Sequence, residues 1–100
     1  MDYEAEFINY WSSSEEIDQP FKYLGSLPNE IHDLLTYEIE LIIKNPFDPK
    51  KAHELRHPWK GYFGWYPKED SKIKDYRIIY KVQKKIQIFR IGHHSKVYKK

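Results

Sequence analysis

Residues 73–91 carry the strongest folding constraint in this chain. From Ile73 to Val82 the side chains alternate, with Tyr76, Ile78, Tyr80 and Val82 on one side and Asp75, Arg77, Ile79 and Lys81 on the other. Successive side chains of an extended strand point to opposite faces, so this run predicts a strand with its Tyr/Ile/Val face in a core. Gln83-Lys84-Lys85 reads as a tight turn, Ile86 to Ile91 as the next strand, and Gly92 as the residue that breaks it before a basic tail from His93 to Lys100. Two such runs joined by a short polar turn predict an antiparallel hairpin.

The period changes upstream. Ile31, Leu34, Leu35, Ile39 and Ile42 recur at helical spacing, behind Pro28 and ahead of Asn45-Pro46, and predict an amphipathic helix. Glu30, Asp33, Glu38 and Glu40 lie mostly off its apolar stripe and form an acidic outer face. Ser12 with Glu15, and Ser13 with Glu16, match the spacing of a capping box, so an earlier helix is expected to start there. Pro20 would interrupt or kink it, and Gly25 would cap its end. Tyr3 to Tyr10 alternates as a first strand at an edge, and Trp59 to Tyr66 reads as another strand before the polar turn at residues 67–71. A short helical turn is expected from Asp48-Pro49 through His53 and Leu55. The sum is an α+β fold in a single domain over residues 1–100: an N-terminal strand, a helical hairpin, then an antiparallel meander of three to four strands.

The net charge of +2 conceals a division. Residues 1–50 hold three Lys and eleven Asp and Glu, which leaves −8, whereas residues 51–100 hold fourteen Lys and Arg and four acids, which leaves +10. Folded together, the halves either present a basic face that attracts polyanions or pair their charges internally. There is no cysteine, so disulfide and thiolate chemistry are excluded. Met1-Asp2-Tyr3-Glu4 has neither the basic nor the apolar region of a signal peptide, and the apolar cluster Leu41-Ile42-Ile43 is far too short to span a membrane. A cytoplasmic protein without membrane contact is expected.

His53-Glu54-Leu55-Arg56-His57 is a literal H-E-x-x-H. On a helix that spacing sets two imidazoles on one face with a Glu able to activate water, the arrangement of zinc proteases. Here Pro58 follows at once, the segment after Pro49 is short, and few residues remain for a third ligand and a cleft. No metal and no cofactor is therefore expected.

Three blocks resemble the RelE/ParE superfamily of bacterial toxins. They are Leu55 with Trp59-Lys60-Gly61-Tyr62, Asp75-Tyr76-Arg77-Ile78-Ile79-Tyr80-Lys81-Val82, and Ile91-Gly92-His93-His94-Ser95-Lys96-Val97-Tyr98. The likeness covers roughly residues 20–100 and implies the layout β-α-α-β-β-β. Within the superfamily, His57-Pro58 with Gly61, Asp75-Tyr76, and His94-Ser95 with Tyr98 are similar to motifs of the YafQ-like mRNA interferase branch. The chain has no His near Ser71, where that branch carries a further catalytic one; Lys68, Lys72 and Lys74 stand nearby.

What the resemblance implies is the toxin of a type II toxin–antitoxin system: a ribosome-dependent, metal-independent endoribonuclease that cuts mRNA through the RNA's own 2′-hydroxyl. Such chemistry needs a base for the 2′-proton, an acid for the leaving 5′-oxygen and cations for the phosphorane. His94 is the expected acid, since imidazole titrates near neutral pH. His57 and Asp75 are expected as base or as its orienting partner, and Arg77 to fork onto a phosphate. Lys72, Lys74 and Arg90 are expected electrostatic contacts, and Tyr98 and Trp59 stacking platforms for a base. The implied partners are a cognate antitoxin, the ribosome with its mRNA, and promoter DNA only through the antitoxin complex. The alternative is a ParE-like inhibitor of DNA gyrase without nuclease activity. Apart from the resemblance, Asp75 and Arg77 can simply pair across a sheet, His93 and His32 read as surface residues, and His94 and Tyr98 as parts of a tail.

Overall fold

The computed structural model describes residues 3–8 and 19–98. Five strands form one sheet in the order β1-β5-β4-β3-β2, with β1 (Ala5–Phe7), β2 (Ala52–Glu54), β3 (Phe63–Trp65), β4 (Tyr76–Val82) and β5 (Ile86–His93). Strands β2 to β5 pair antiparallel with one another, and β1 lies parallel to β5 at the sheet edge. The α+β expectation and the meander hold. The capping boxes at Ser12–Glu16 lie outside the described residues.

Helix α1 (Pro20–Ser26) opens on Pro20 instead of being kinked by it. A first-turn proline loses no helical hydrogen bond, because its N–H would have no partner there. Gly25 lies inside α1, and extended Leu27 ends the helix. Helix α2 (Asn29–Lys44) stops at Asn45 as the following proline requires. Gly92 does not break β5, which continues to His93, and the tail folds into one helical turn, α3 (His94–Val97).

The pleat of β4 divides the interior. Ile78 and Tyr80, with Ile86, Ile88 and Ile91 from β5, pack beneath the helices against Leu24, Leu35, Ile39 and Ile42. Ile79, on the other side, packs with Trp59 and Val97 in a second, smaller cluster beneath α3. The β4–β5 register slips after Ile79, so that Arg90 faces Ile79 and Ile88 faces Tyr80, with Phe89 as the extra residue. A bulge of this kind bends the strand that carries it and increases local twist.

One expectation for α2 is corrected. Glu38 is buried, not part of the acidic outer face. Its Oε1 accepts hydrogen bonds from Lys51 Nζ at 3.1 Å and from the Trp65 indole N–H at 2.9 Å. Both ions are fewer than one-tenth exposed, so the pair ties α2 to the sheet at the cost of desolvating two charges. Tyr80 supplies a second buried polar tie, donating from its hydroxyl to the Pro46 carbonyl at 2.6 Å.

Removing one ion strands the other, so Glu38→Ala is expected to destabilise the fold by about 3–5 kcal/mol, measured by urea unfolding. Burial, with Asp48 as a lesser cause, pushes the Tyr80 phenol above its ordinary value of 10.0. The neutral phenol is thus favoured in the folded state, and its contribution is fully present below pH 10.0. Above that pH the unfolded chain ionises while the folded one holds its proton, so stability is lost as pH rises. Tyr80→Phe is expected to flatten this alkaline slope and to cost about 1–2 kcal/mol at neutral pH, because the Pro46 carbonyl loses its donor.

Candidate functional site

Helices α1 and α2 cover one face of the sheet, and on the opposite face the sequence pattern gathers Arg77, Ile79 and Lys81 from β4. Tyr66, two residues beyond Gly64 of β3, shares this side: the Arg77 guanidinium stacks on the Tyr66 ring with its carbon 4.1 Å from the centroid. Arg77 Nη1 also donates to the carbonyls of Lys74 at 2.7 Å and Tyr76 at 2.8 Å. Ring and carbonyls together set the direction of the guanidinium.

The C-terminal segment folds over this face because three groups hold it. Val97 is fully buried. Arg90 Nη1 donates to the Val97 carbonyl at 2.8 Å. The Trp59 indole N–H donates to the Tyr98 carbonyl at 2.9 Å, and the Arg90 guanidinium lies 4.7 Å from the centroid of the Trp59 ring. Trp59 and Arg90, expected to meet RNA directly, are thereby corrected: both are buried and act as supports beneath the segment. A splayed base cannot stack on a ring enclosed in this way.

With the segment held down, His94 comes to the end of β4. Its backbone N–H donates to the Asp75 carbonyl at 2.8 Å, and its Nε2 lies 3.9 Å from Asp75 Oδ1. The two side chains are about half exposed, so the attraction is screened and worth little in stability. The His93 ring stacks on that of His94 at 4.5 Å. His93 Nδ1 accepts from the Ser95 backbone N–H at 3.2 Å, which caps α3. His94, Asp75 and Arg77 thus belong to one end of the β4–β5 ladder, where Tyr76 faces His93 and Arg77 faces Gly92.

Tyr98 closes the floor. Its hydroxyl is buried without a hydrogen-bond partner of good geometry, packed above Gly64. Burial, reinforced by the neighbouring Tyr66 phenol and opposed by Arg77, pushes its phenol well above the ordinary tyrosine range. A side chain on Gly64 would meet the Tyr98 hydroxyl at 3.1 Å and Leu55 Cδ2 at 3.2 Å. Gly64 and Tyr66 went unnoticed in the sequence, although their spacing of two residues from one another puts them on one face.

The remaining expected residues lie elsewhere. His57 is exposed in the connection between β2 and β3, and no hydrogen bond, ion pair or ring contact joins it to the described residues. Lys72 reaches the other way, pairing with Glu30 of α2, which holds its ammonium above the usual lysine range. Lys74 is exposed next to the cluster and offers Arg77 its carbonyl. The H-E-x-x-H segment is not helical: His53 and Glu54 are in β2, in place of the expected helical turn. The His53 ring meets that of Tyr66 at a tilt, 4.4 Å between centroids, and in a strand the one-turn spacing that zinc chelation needs is absent. Among the described residues no group of three or more His, Asp or Glu could hold a metal ion. No helix among them is long and apolar enough to cross a membrane.

Residues 15–98 match the family model described as ParE toxin of type II toxin-antitoxin system, parDE. The chain belongs to this toxin family, within the RelE/ParE superfamily. No curated protein sequence matches it. Among solved structures it is similar to a chain of the RelBE2 toxin–antitoxin complex from Mycobacterium tuberculosis, with 18% identity over 93% of this chain and 99% of that one, at a TM-score of 0.66. It is also similar to the conserved hypothetical protein HP0894 from Helicobacter pylori, with 20% identity over 96% of this chain and 99% of that one, at a TM-score of 0.53. At these identities the two structures speak for the fold of the toxin alone.

The packing above Gly64 leaves no room for a branched side chain. Gly64→Val is expected to cost about 1–3 kcal/mol in thermal or urea unfolding and to release the Tyr98 ring, read as a gain in tyrosine exposure by NMR or solvent-perturbation spectroscopy.

Proposed function

We propose that this toxin is a metal-independent endoribonuclease that cuts mRNA on the ribosome. The observation that carries the proposal is the half-exposed His94–Asp75 pair at the end of β4 that also carries the oriented Arg77 guanidinium. In this reading the Asp75 carboxylate takes the proton of the RNA 2′-hydroxyl, whose oxygen attacks the adjacent phosphorus. The His94 imidazolium gives its proton to the leaving 5′-oxygen, producing a 2′,3′-cyclic phosphate and a free 5′-hydroxyl. Arg77 offsets the charge that builds on the phosphorane. The separation of 3.9 Å between His94 and Asp75 suits an open site that tightens around its substrate. Lys74 stands close enough in sequence and space to add positive charge, and Tyr98 supports Arg77 through Tyr66 instead of stacking a base itself. His57, without contact to the cluster, contributes less than His94.

A cognate antitoxin would restrain the toxin by covering this face, and the toxin–antitoxin complex found as a structural neighbour supports such a partner. The antitoxin would also carry any contact with promoter DNA. A cytoplasmic site of action follows from mRNA and ribosome as targets. The closeness of the sequence to the ParE family favours one second reading, a gyrase inhibitor that does not cut RNA.

Controlled expression with mapping of mRNA 5′ ends separates the two. Cuts within codons, unaffected by a zinc-selective chelator that leaves the ribosome's magnesium in place, are expected for the wild-type chain in a reconstituted translation reaction. His94→Ala is expected to lower cleavage by about 100-fold or more, and His57→Ala by less than tenfold. Intact mRNA together with accumulated DNA breaks would instead establish the gyrase reading.

A further inference from the structure

A second basic group stands on the open face, away from the His94 cluster. Lys81 Nζ lies 4.7 Å from the centroid of the Tyr62 ring. That ring is itself held edge-on by Trp59 at 5.3 Å and by Phe89 at 5.1 Å. Gly61 has a φ of 94°, a conformation that L side chains rarely adopt, and the Tyr62 N–H donates back to the Trp59 carbonyl at 3.0 Å. This turn brings Tyr62 under Lys81, and a Cβ built on Gly61 would touch Lys81 Cε at 3.9 Å. Among the described residues no carboxylate pairs with Lys81, in contrast to Lys51, Lys72 and Lys85, which bind Glu38, Glu30 and Glu4. The sheet thus orients a lysine on an aromatic ring and leaves its charge without an anion.

Lys81 and Arg77 lie on the same side of β4, four residues apart. At the rise of an extended strand they stand about 13 Å from one another. That distance spans roughly two nucleotides of an extended single strand, whose backbone a basic groove can follow. The bulge at Phe89 belongs to β5, so β4 keeps its alternation between the two positions.

We propose that Lys81 forms a second phosphate subsite for single-stranded RNA, about two nucleotides from the phosphate held by Arg77, with Tyr62 as its positioning residue. The proposal rests on the endoribonuclease reading above and deepens it. Because the ring restricts the lysine before RNA arrives, less side-chain freedom is lost on binding. The ammonium covers the ring face, so Tyr62 orients Lys81 and does not itself stack a base.

Single-turnover cleavage of mRNA on programmed ribosomes, with the full chain in excess, tests this. Lys81→Ala is expected to raise the half-saturating toxin concentration by about 5- to 10-fold, leave the saturating rate unchanged, and lower the slope of log affinity against log salt by about 0.7. Lys81→Arg is expected to restore both. An mRNA with an uncharged methylphosphonate two nucleotides from the cut, placed on either side in turn, should reproduce the loss on one side and add nothing to Lys81→Ala. No change in half-saturation, or a fall in the saturating rate instead, would overturn the subsite while the nuclease reading stands. If the wild-type chain does not cut at all, the nuclease reading fails. The subsite is then judged by fluorescence anisotropy with a single-stranded RNA oligonucleotide, where equal affinity of wild type and Lys81→Ala overturns it as well.

Discussion

In β4 the side chains of Ile78 and Tyr80 point into the core under the helices, and those of Arg77, Ile79 and Lys81 point to the opposite face. The strand is hydrogen-bonded on both edges, by β3 and by β5, and its own pleat makes the alternation obligatory. A slip of one residue would bury Arg77 and Lys81 under α2 and expose Ile78 and Tyr80. The cost of burying two unpaired cations forbids that register. The core and the open face are therefore two consequences of one constraint.

Burial on the open side is shallow, and its chemistry depends on how the chain end is fastened. Ile79, Trp59 and Val97 form a small apolar cluster, but direction comes from polar contacts to main-chain carbonyls. Trp59 donates to the Tyr98 carbonyl and Arg90 to that of Val97. These carbonyls lie at the end of a helical turn too short to satisfy them internally. Holding them brings His94 to Asp75 and lays Tyr98 over Gly64. Arg90 and Trp59 thus serve the site at one remove, by determining where the residues that face solvent can be.

The division of charge along the chain is partly neutralised and partly kept. Lysines of the second half, Lys51, Lys72 and Lys85, meet acids of the first half, Glu38, Glu30 and Glu4. These contacts lie within the sheet–helix layer or at its margin. Exposed Glu30, Asp33 and Glu40 belong to α2, whereas Arg77 and Lys81 belong to the other side of the sheet, with Asp75 as the acid beside His94. The exposed acids of α2 and the cations of β4 thus stay on opposite sides of the sheet.

Periodicity alone determined most of the architecture: α2 from its helical stripe, β4 and β5 from alternation and an apolar run, and the stop at Asn45-Pro46 from proline sterics. These are local effects, readable within a few residues. The motif blocks at residues 75–82 and 91–98 likewise carry the likeness to the toxin family within the sequence itself. Other features were decided only by contacts between residues distant along the chain. Glu38 looked like one more acid on a helix surface, until Lys51 and Trp65 arrived from the sheet. His53 and Glu54 looked helical until pairing with Gly64 and Phe63 drew them into β2, since an edge strand is stabilised by its neighbour more than by its own propensity. Trp59 and Arg90 read in the sequence as contacts for RNA and are buried beneath the chain end, because an indole N–H and a guanidinium also satisfy main-chain carbonyls.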